Sequence, residues 1–273
     1  MNLRITKGLA VAAAATMLFT ACSSDDTKTD PSASSTATTG KPAGYTIKDG
    51  TLTACGEVPF APFEYEDPTV EGGYTGFDLD LGHEIAARLG LDYEFITVDF
   101  NALQSGMVLV AGQCDVGTSA ISITPERAAN IDFSEGYYTS LLALLVSKES
   151  GITGVAGMSD KVIGVQLGST GEAYANENAP ADATIVTFEG DGDLWLALQA
   201  GTIDGVLQDQ PVNVLHVRAD ANYILAEEYD TGEEYGFAYA KGQHLELQAD
   251  IAQTLKDMRA DGTYQTFYDK YFK

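Results

Sequence analysis

The sequence combines a moderate length with a large excess of acidic side chains. Its 273 residues include 40 aspartates and glutamates against 15 lysines and arginines, which gives a formal net charge of −25 at pH 7. A field of this sign repels the phosphates of nucleic acids and of anionic lipids, so neither is expected as a partner. The length is enough for two lobes that each bury a hydrophobic core.

Residues 1–21 have the features of a signal peptide. Arg4 and Lys7 give a positive start, and Leu9–Ala21 is an uncharged apolar run that is short for a membrane span. We therefore expect this segment to direct export and to be absent from the mature fold.

A lipid attachment site follows the apolar run. LFTAC, residues Leu18–Cys22, resembles a bacterial lipobox, in which the cysteine becomes the lipidated first residue of the mature chain. Phe19 stands where a leucine is usual. Lipidation of Cys22, with palmitate as an expected acyl group, would anchor the protein to a membrane without a transmembrane helix. The alternative is ordinary secretory cleavage that leaves Cys22 free, although an exposed thiol is a liability outside the cell.

Residues 22–44 comprise the lipidated end and a linker that is predicted to be disordered. From Ser23 to Gly44 the sequence has no large aliphatic or aromatic side chain, so it cannot bury enough surface to offset the entropy lost on ordering. The globular part is expected to begin near Tyr45.

From Gly50 onward, strand and helix patterns alternate. Asp78 has the position of a helix N-cap, Asp80 follows in the first turn, and Gly90 suits the helix end. This alternation predicts a parallel sheet covered by helices. The predicted elements are strand Gly50–Glu57, a helix with Leu81, Ile85 and Leu89 on one face, strand Leu91–Val98, a helix with Leu103, Met107 and Val110 on one face, strand Cys114–Ile121, and a short helix opened by Thr124 and Pro125.

The same order returns in the second half of the chain. Strand Lys161–Gly168, helix Asp193–Gly201 and strand Thr202–Asp209 follow one another, and an amphipathic helix, a glycine stop and a second short helix end the sequence. LVAGQCDVGTSA and LQAGTIDGVLQD share a helix that ends in Ala-Gly, then two residues, an aspartate and a strand. This echo suits two similarly built α/β lobes with ligand sites at the carboxyl ends of their strands.

Several motifs together resemble one protein family. GFDLDL, residues Gly76–Leu81, is similar to the signature of the bacterial extracellular solute-binding proteins of family 3, the polar amino-acid receptors of ABC importers. The resemblance covers residues 48–273, and it implies that the acidic pair Asp78 and Asp80 serves folding. The other motifs, in the expected order, are APFEY (Ala61–Tyr65), ISITPERAANIDFSEGYY (Ile121–Tyr138), GVQLGSTGE (Gly164–Glu172), LQDQP (Leu207–Pro211) and ADGTYQTFYDKYF (Ala260–Phe272).

The resemblance implies an α/β fold of the type II periplasmic binding protein kind, with two α/β lobes, a two-crossing hinge and a cleft between the lobes. Residues 45–136 and 236–273 would form lobe one, and residues 141–231 would form lobe two. The crossings near 137–140 and 232–235 would act as hinges, so that a ligand gripped by both lobes stabilises the closed form. The protein is expected to work as a monomer.

The expected ligand is an α-amino acid, whose carboxylate and ammonium both need partners in a buried site. By resemblance, Arg127 clamps the carboxylate, because a guanidinium fork matches two carboxylate oxygens. The backbone around Ala120 and Ser122, with the Ser122 hydroxyl, would complete this half-site. From lobe two, Ser169 and Thr170 open a helix whose free N–H groups can receive the same carboxylate. The alternative for Arg127 is a surface arginine that caps a short helix.

The other contacts of the ligand backbone and stem come from an aspartate and two aromatic residues. Asp209 ends a strand just before Pro211 and matches the family aspartate that pairs with the α-ammonium, while an ordinary helix cap is the alternative. Phe60 and Phe100 resemble the aromatic walls around the aliphatic stem of the ligand, although an isolated phenylalanine is usually a core residue.

Two positions bear on the choice of ligand. Glu57 falls where receptors for basic amino acids and for glutamine carry an acidic residue that faces the ligand side chain. Gln166 falls where other members of the family place a polar or cationic contact. A carboxylate without a basic neighbour favours arginine, lysine or histidine, with glutamine next. Glutamate and aspartate are disfavoured, because no extra lysine or arginine occurs among the matched positions.

Cys55 and Cys114 lie in strands that could be neighbours in a parallel sheet, in a compartment where disulfides form. They are either bonded to each other or separate buried side chains. No zinc spacing, phosphate-binding loop or other cofactor motif occurs in the sequence, so neither a metal nor a cofactor is expected.

The sequence therefore predicts an extracytoplasmic, lipid-anchored receptor that captures a polar amino acid and delivers it to the permease and ATPase of an ABC importer. A dehydratase-like enzyme of the same fold is the rival interpretation, with Glu57 as its acid or base. His83, His216 and His244 lie outside the matched pocket, which weakens that rival. An extracellular sensor with the same closing lobes is a third interpretation.

Overall fold

Two five-stranded sheets with covering helices form the part of the protein that a computed structural model describes, residues 41–273. The predicted signal peptide, the lipidation site at Cys22 and the linker up to residue 40 lie outside the described residues. Within residues 41–273, no helix is both long enough and apolar enough to cross a membrane.

The elements follow the alternation that the sequence predicts. The strands are β1 Thr51–Gly56, β2 Tyr65–Glu66, β3 Tyr74–Thr75, β4 Asp92–Thr97, β5 Val116–Gly117, β6 Ile131–Phe133, β7 Tyr138–Ser147, β8 Val162–Gln166, β9 Thr184–Phe188, β10 Gly205–Asp209, β11 Tyr223–Tyr235 and β12 Ala238–Ala240. The helices are α1 Phe77–Leu89, α2 Phe100–Gln104, α3 Met107–Val110, α4 Pro125–Asn130, α5 Thr170–Asn178, α6 Asp191–Gln199, α7 Gln210–Ala219, α8 Leu245–Asp261 and α9 Thr263–Phe272.

The two sheets have the same strand order. It is β4-β1-β5-β12-β6 in the first sheet and β9-β8-β10-β7-β11 in the second. In each sheet the first three strands are parallel, and the last two pair in antiparallel fashion. The sequence echo reflects this order, because its two copies end in β5 and β10, the third strand of either sheet.

Helix α1 begins where a glycine allows close approach of two backbone segments. Gly76 has a φ of 144°, and a Cβ there would overlap the carbonyl oxygen of Phe63. Gly76 is also the N-cap, so the predicted N-cap role of Asp78 is wrong. The Asp78 side chain turns into the core, where its Oδ2 accepts from the Ala120 N–H at 2.8 Å and from the Tyr137 hydroxyl at 2.6 Å. Asp78 thus joins α1 to the loop after β5.

The predicted second helix is broken into two short helices. Asp99 caps α2 through its side chain, and Gly106, with a φ of 82°, separates α2 from α3. The prediction of one helix face shared by Leu103, Met107 and Val110 fails, because Leu103 is buried whereas 67% and 63% of the surfaces of Met107 and Val110 are exposed. The break rotates α3 relative to the expected helix, so the apolar spacing loses its meaning there.

The strand that was predicted over residues 114–121 is short. Only Val116–Gly117 pairs as β5, and the chain then turns through Ala120, whose φ of 45° is uncommon for a residue with a Cβ. The turn carries residues 119–122 to the carboxyl edge of the first sheet, where they face the second lobe.

Two chain crossings join the lobes side by side. β7 and β11 remain paired along the crossings, with Tyr138 opposite Tyr235 and Ser140 opposite Glu233. The rings of Tyr138 and Tyr235 stack with 5.5 Å between their centroids, and Phe63 packs edge-on against both. The paired residues lie in the two segments that the sequence predicts as hinges, 137–140 and 232–235, and their pairing makes the crossings a two-stranded ribbon.

Cys55 in β1 and Cys114 just before β5 are joined in a disulfide bond, with 5.9 Å between their Cα atoms. The sequence left this pairing open. The bond links two neighbouring strands of the first sheet.

Candidate functional site

A cavity lies between the two lobes, and every residue that the sequence predicts for the ligand site lines it. Including its opening to solvent, the space between the lining residues is about 280 Å³. The lining residues are Glu57, Phe60, Phe100, Ser119, Ala120, Ser122 and Arg127 from the first lobe, and Gln166, Ser169, Thr170 and Asp209 from the second.

Strand order explains why residues that are distant in sequence meet at this cavity. Glu57 directly follows β1, and Phe100 begins α2 after β4. In the second lobe, Gln166 and Asp209 end β8 and β10, and Thr170 begins α5 after β8. The carboxyl ends of parallel strands share one edge of a sheet, so the two facing edges supply the two walls.

Arg127 is fixed by the local structure of α4. Thr124 is the N-cap of this helix, and its hydroxyl accepts from the Arg127 N–H at 3.2 Å. The guanidinium is buried, with 5% of the residue exposed, and it donates to the backbone oxygens of Ser122 and Gly168 at 2.9 Å each. It also lies over the Phe100 ring, 5.4 Å from the centroid. The surface role that was the alternative for Arg127 does not fit this burial.

The Arg127 guanidinium has no anionic partner among the described residues, since none of their carboxylates forms an ion pair with it. Burial lowers the pKa of Arg127, and the negative charges of Asp209 and Glu233 oppose that effect. Arginine nevertheless stays protonated in proteins, so the cavity contains a buried cation with N–H groups left to donate. An anionic group of a ligand would offset its charge.

Helix α5 adds backbone donors from the second lobe. Ser169 is the N-cap and accepts from the Glu172 N–H at 3.1 Å, while the Glu172 carboxylate accepts from the Gly168 N–H at 2.7 Å. This reciprocal pair fixes the first turn. The N–H groups of Thr170 and Gly171 have no partner inside the helix and lie at its positive end. With the guanidinium, they make this side of the cavity suitable for an anion.

Asp209 places a buried carboxylate on the cavity wall, with 8% of the residue exposed. It accepts from the Tyr235 hydroxyl, which also lies 2.8 Å from Ser140 Oγ. Burial and the neighbouring Glu233 raise the pKa of Asp209 to about 7. Asp209 precedes α7 but makes no side-chain cap bond, so the helix-cap alternative does not apply. No lysine or arginine of residues 41–273 pairs with it, and a ligand ammonium would supply the missing cation.

The Glu57 end of the cavity is acidic. Burial raises the pKa of Glu57 to about 8, a hydrogen bond from Gln166 Nε2 opposes this effect, and the charges of Asp99, Asp191 and Glu189 add to it. Gln166 Nε2 also donates to the Glu189 backbone oxygen at 3.0 Å. A cationic or hydrogen-bond-donating side chain of a ligand would relieve the negative potential at this end.

Two residues of the site were not predicted from the sequence. Ser119 lines the cavity and donates to Glu64 Oε1 at 2.6 Å. Glu233, on the second crossing, accepts from the hydroxyls of Ser122 at 2.8 Å and Thr170 at 3.1 Å. Ser119 could have been expected, because it directly precedes Ala120, whose backbone the resemblance places at the ligand carboxylate. Glu233 carries no such signal, because two glutamates stand side by side and only the strand geometry decides which one faces inward.

Histidine side chains do not reach the cavity. His83, His216 and His244 all lie outside its lining. His216 contacts residues of α6 instead, since its Nε2 lies 2.8 Å from Asp191 Oδ1 and its ring stacks on Trp195. In the described part of the chain, no group of three or more histidine, cysteine, aspartate or glutamate side chains could hold a metal ion. The cavity lining thus offers charges and hydrogen bonds to a ligand.

Comparison with known proteins gives a consistent match. The model of the bacterial extracellular solute-binding proteins, family 3, matches residues 52–273. The histidine-binding periplasmic protein of Salmonella typhimurium (strain LT2) is 32% identical over 228 residues, which cover 78% of this chain and 84% of the relative. The ABC transporter glutamine-binding protein GlnH of Bacillus subtilis (strain 168) is 32% identical over 214 residues, which cover 77% of each chain.

A solved structure of an amino-acid-binding protein has a similar fold. An ancestral arginine-binding protein bound to arginine superposes with a TM-score of 0.76 and 34% identity, over 82% of this chain and 99% of that chain. This likeness confirms the predicted fold class, an α/β fold of the type II periplasmic binding protein kind with two lobes and a cleft.

Proposed function

The chain belongs to the bacterial extracellular solute-binding proteins, family 3, and from this premise we propose that it captures a polar amino acid by lobe closure and delivers it to an ABC importer. The names of its relatives support this proposal, because they bind histidine or glutamine and one of them is named as part of an ABC transporter.

The observation that carries the proposal is a pair of buried, opposite charges that lack ionic partners. Arg127 lies on one wall of the cavity, and Asp209 lies on the other. Burying an unpaired charge is costly, so the pair is complementary to a zwitterion whose carboxylate meets the guanidinium and whose ammonium meets the aspartate. Phe60 and Phe100 would cover the aliphatic part of the ligand.

Within the amino acids, the site favours arginine, lysine or histidine, with glutamine next. The acidic surroundings of Glu57 support a cationic side chain, and a protonated Glu57 together with Gln166 could instead hydrogen-bond an amide. Glutamate and aspartate are disfavoured, since a second carboxylate would meet Glu57 without a cation beside it.

Binding and closure are coupled because each lobe supplies part of the site. We assign residues 45–136 and 236–273 to lobe one, residues 141–231 to lobe two, and the hinges to 137–140 and 232–235. A ligand that contacts both lobes binds the closed form more tightly than the open form, and therefore shifts the population towards closure.

Calorimetric titration of residues 45–273 with the common L-amino acids tests the proposal. We expect heat of binding with at least one of arginine, lysine, histidine and glutamine. A dissociation constant of about 1 μM or lower corresponds to a binding free energy of about 8 kcal/mol or more. Binding of glutamate alone would overturn the ligand class, and binding of no amino acid would overturn the function.

We further propose that the protein acts outside the cytoplasm as a monomer, anchored by lipid at Cys22 after removal of residues 1–21. The periplasmic relatives support the location, and the lipobox resemblance supports the anchor. Metabolic labelling with an alkyne analogue of palmitate should mark the wild-type protein in the membrane fraction. The Cys22→Ser variant should lose both the label and the membrane association, and a labelled variant would contradict the assignment.

We also propose that the cavity binds its ligand without converting it. The relatives are named as binding proteins, and no histidine lines the described cavity to assist Glu57 in proton transfer. Incubation with a prephenate-like acid should leave the acid unchanged, as monitored by its absorbance, and product formation by the purified protein would establish an enzyme instead.

A further inference from the structure

We propose that Glu233 is a positioning residue that fixes the direction in which the hydroxyls of Ser122 and Thr170 point. Both hydroxyl-bearing residues line the cavity, one from each lobe, whereas Glu233 stands behind them on the second crossing. The inference deepens the proposed function and rests on it, because it concerns how the ammonium of an amino acid is told apart from its carboxylate.

One carboxylate oxygen serves both hydroxyls. Glu233 Oε2 accepts from Ser122 Oγ at 2.8 Å and from Thr170 Oγ1 at 3.1 Å, while Oε1 accepts from the Thr231 hydroxyl at 3.1 Å. The glutamate is buried, with 8% of its surface exposed. In residues 41–273, no lysine, arginine or histidine forms an ion pair with it, so hydroxyls are its hydrogen-bond partners.

The Glu233 carboxylate decides where the protons of the two hydroxyl groups point. A serine or threonine hydroxyl has one proton to donate and two lone pairs with which to accept, whereas an ionised carboxylate only accepts. Each hydroxyl therefore directs its proton to Glu233. Towards the cavity, Ser122 and Thr170 present oxygen lone pairs, which attract an ammonium N–H and repel a carboxylate.

The negative charge of Glu233 also favours an ammonium over a carboxylate at this side of the site. It lies near enough to Asp209 to raise the pKa of that carboxyl, and near enough to Arg127 to favour the guanidinium cation. Glu233 and Asp209 thus place two negative groups on the ammonium side of the site. The ligand carboxylate is left to Arg127 and to the N–H groups of α5. The Ser122 hydroxyl, which the sequence assigns to the carboxylate, becomes an acceptor for the ammonium.

The arrangement also links recognition to closure. Ser122 comes from lobe one and Thr170 from lobe two, so both can reach the same oxygen of Glu233 only when the lobes are together. The acceptors for the ammonium are consequently assembled by the same movement that encloses the ligand.

Two variants separate the acceptor role from the charge. In Glu233→Gln the amide oxygen can still accept from both hydroxyls, whereas Glu233→Met keeps the length of the side chain and removes the acceptor. Calorimetry would compare L-arginine, L-histidine and L-glutamine, each with the matching acid that lacks only the α-amino group. Thr231→Val is the control, because it removes an exposed hydroxyl from Glu233 without changing the cavity lining.

We expect Glu233→Met to weaken binding of the amino acid by about 10- to 100-fold and to change binding of the matching des-amino acid by less than about threefold. Glu233→Gln should lose less affinity than Glu233→Met, because it keeps the acceptor and removes only the charge, and Thr231→Val should stay within about threefold of the wild type. Thermal unfolding of each variant without ligand identifies a general loss of folding.

Equal losses for the amino acid and its des-amino analogue, or tighter amino-acid binding by Glu233→Met, would overturn the positioning role while the proposed function stands. If the wild-type protein binds no amino acid, the proposed function fails first and the positioning role falls with it.

Discussion

The guanidinium of Arg127 is the residue on which ligand affinity should depend most. Its burial, its two backbone acceptors and its lack of an ionic partner in the described structure leave it ready for a carboxylate. We expect Arg127→Ala to weaken amino-acid binding by about 3–5 kcal/mol, which is at least about 100-fold, because the buried carboxylate would be left unpaired.

Calorimetry with the preferred amino acid measures this loss. Arg127→Lys should recover only part of it, because a lysine ammonium cannot match two carboxylate oxygens. Arg218→Ala, at an exposed position on α7, is the matched control and should bind as the wild type does. Unchanged affinity in Arg127→Ala would show that the clamp is misassigned.

Glu57 predicts a choice of ligand that depends on pH. With neutral glutamine bound, the buried carboxyl keeps its pKa near the value of about 8 and is mostly protonated at pH 6. With arginine bound, the neighbouring guanidinium keeps it ionised. Raising the pH from 6 to 8 should therefore increase the ratio of arginine affinity to glutamine affinity, by up to about tenfold per pH unit.

Titrations with both amino acids at several pH values test this expectation. In Glu57→Gln the ratio should not vary with pH, and arginine should lose its advantage. A wild-type ratio that stays constant between pH 6 and 8 would mean that Glu57 does not face the ligand side chain.

At the scale of single residues, the sequence could predict which side chains line one cavity. The positions proposed for the carboxylate, the ammonium and the side chain of the ligand all meet at one cavity. Glu233 was missed and Asp78 was misassigned, because the role of each residue depends on the direction in which its side chain points. An inward-facing acid in the first turn of a helix has the same spacing as an N-cap, and only the close approach at Gly76 distinguishes them.

Helix α4 holds Arg127 at the site, and its local sequence explains how. Thr124 caps it, Pro125 follows at its start, and the capped N–H belongs to Arg127 itself. We expect Thr124→Ala to lower the free energy of unfolding by about 1 kcal/mol, because one helix N–H loses its partner. Ligand affinity should fall as well, since the first turn holds the guanidinium in place.

Chemical denaturation measures the first effect, and calorimetry measures the second. Thr124→Ser keeps the hydroxyl and should retain both stability and affinity. A Thr124→Ala variant as stable as the wild type would show that the cap contributes nothing.

Elements with clear end signals were predictable, and elements interrupted by tertiary contacts were not. Gly90 and Gly262 end α1 and α8 in the left-handed conformation, as the sequence indicated. The single helix that was expected after β4 fails because Gly106 turns the chain by its positive φ. The spacing of Leu103, Met107 and Val110 looks helical, yet it cannot reveal that this glycine is used for a turn.

For the molecule as a whole, several buried carboxyls predict a fall in stability as the pH rises. Burial raises the pKa of Asp78 to about 7, of Asp209 to about 7 and of Glu57 to about 8, and it raises the pKa of Glu64 strongly. A group whose pKa is higher in the folded state favours folding below its ordinary pKa, and this contribution is lost as the pH rises through the folded pKa.

The midpoint of thermal unfolding without ligand should therefore be higher at pH 5.5 than at pH 8. Asp78→Asn should flatten the profile, because the amide oxygen can still accept from the Ala120 N–H and the Tyr137 hydroxyl but no longer titrates. The slope lost with this carboxyl is at most about 1.4 kcal/mol per pH unit. A midpoint that rises towards pH 8 would contradict the prediction.

The side-by-side crossings of β7 and β11 have a mechanical consequence. Where the two strands are paired at the crossings, they bend readily across the face of the ribbon and resist bending in its plane. The two lobes should accordingly rotate about one axis at the crossings, with little sliding of one lobe past the other. Each closure would then bring the same residues of the two lobes into contact.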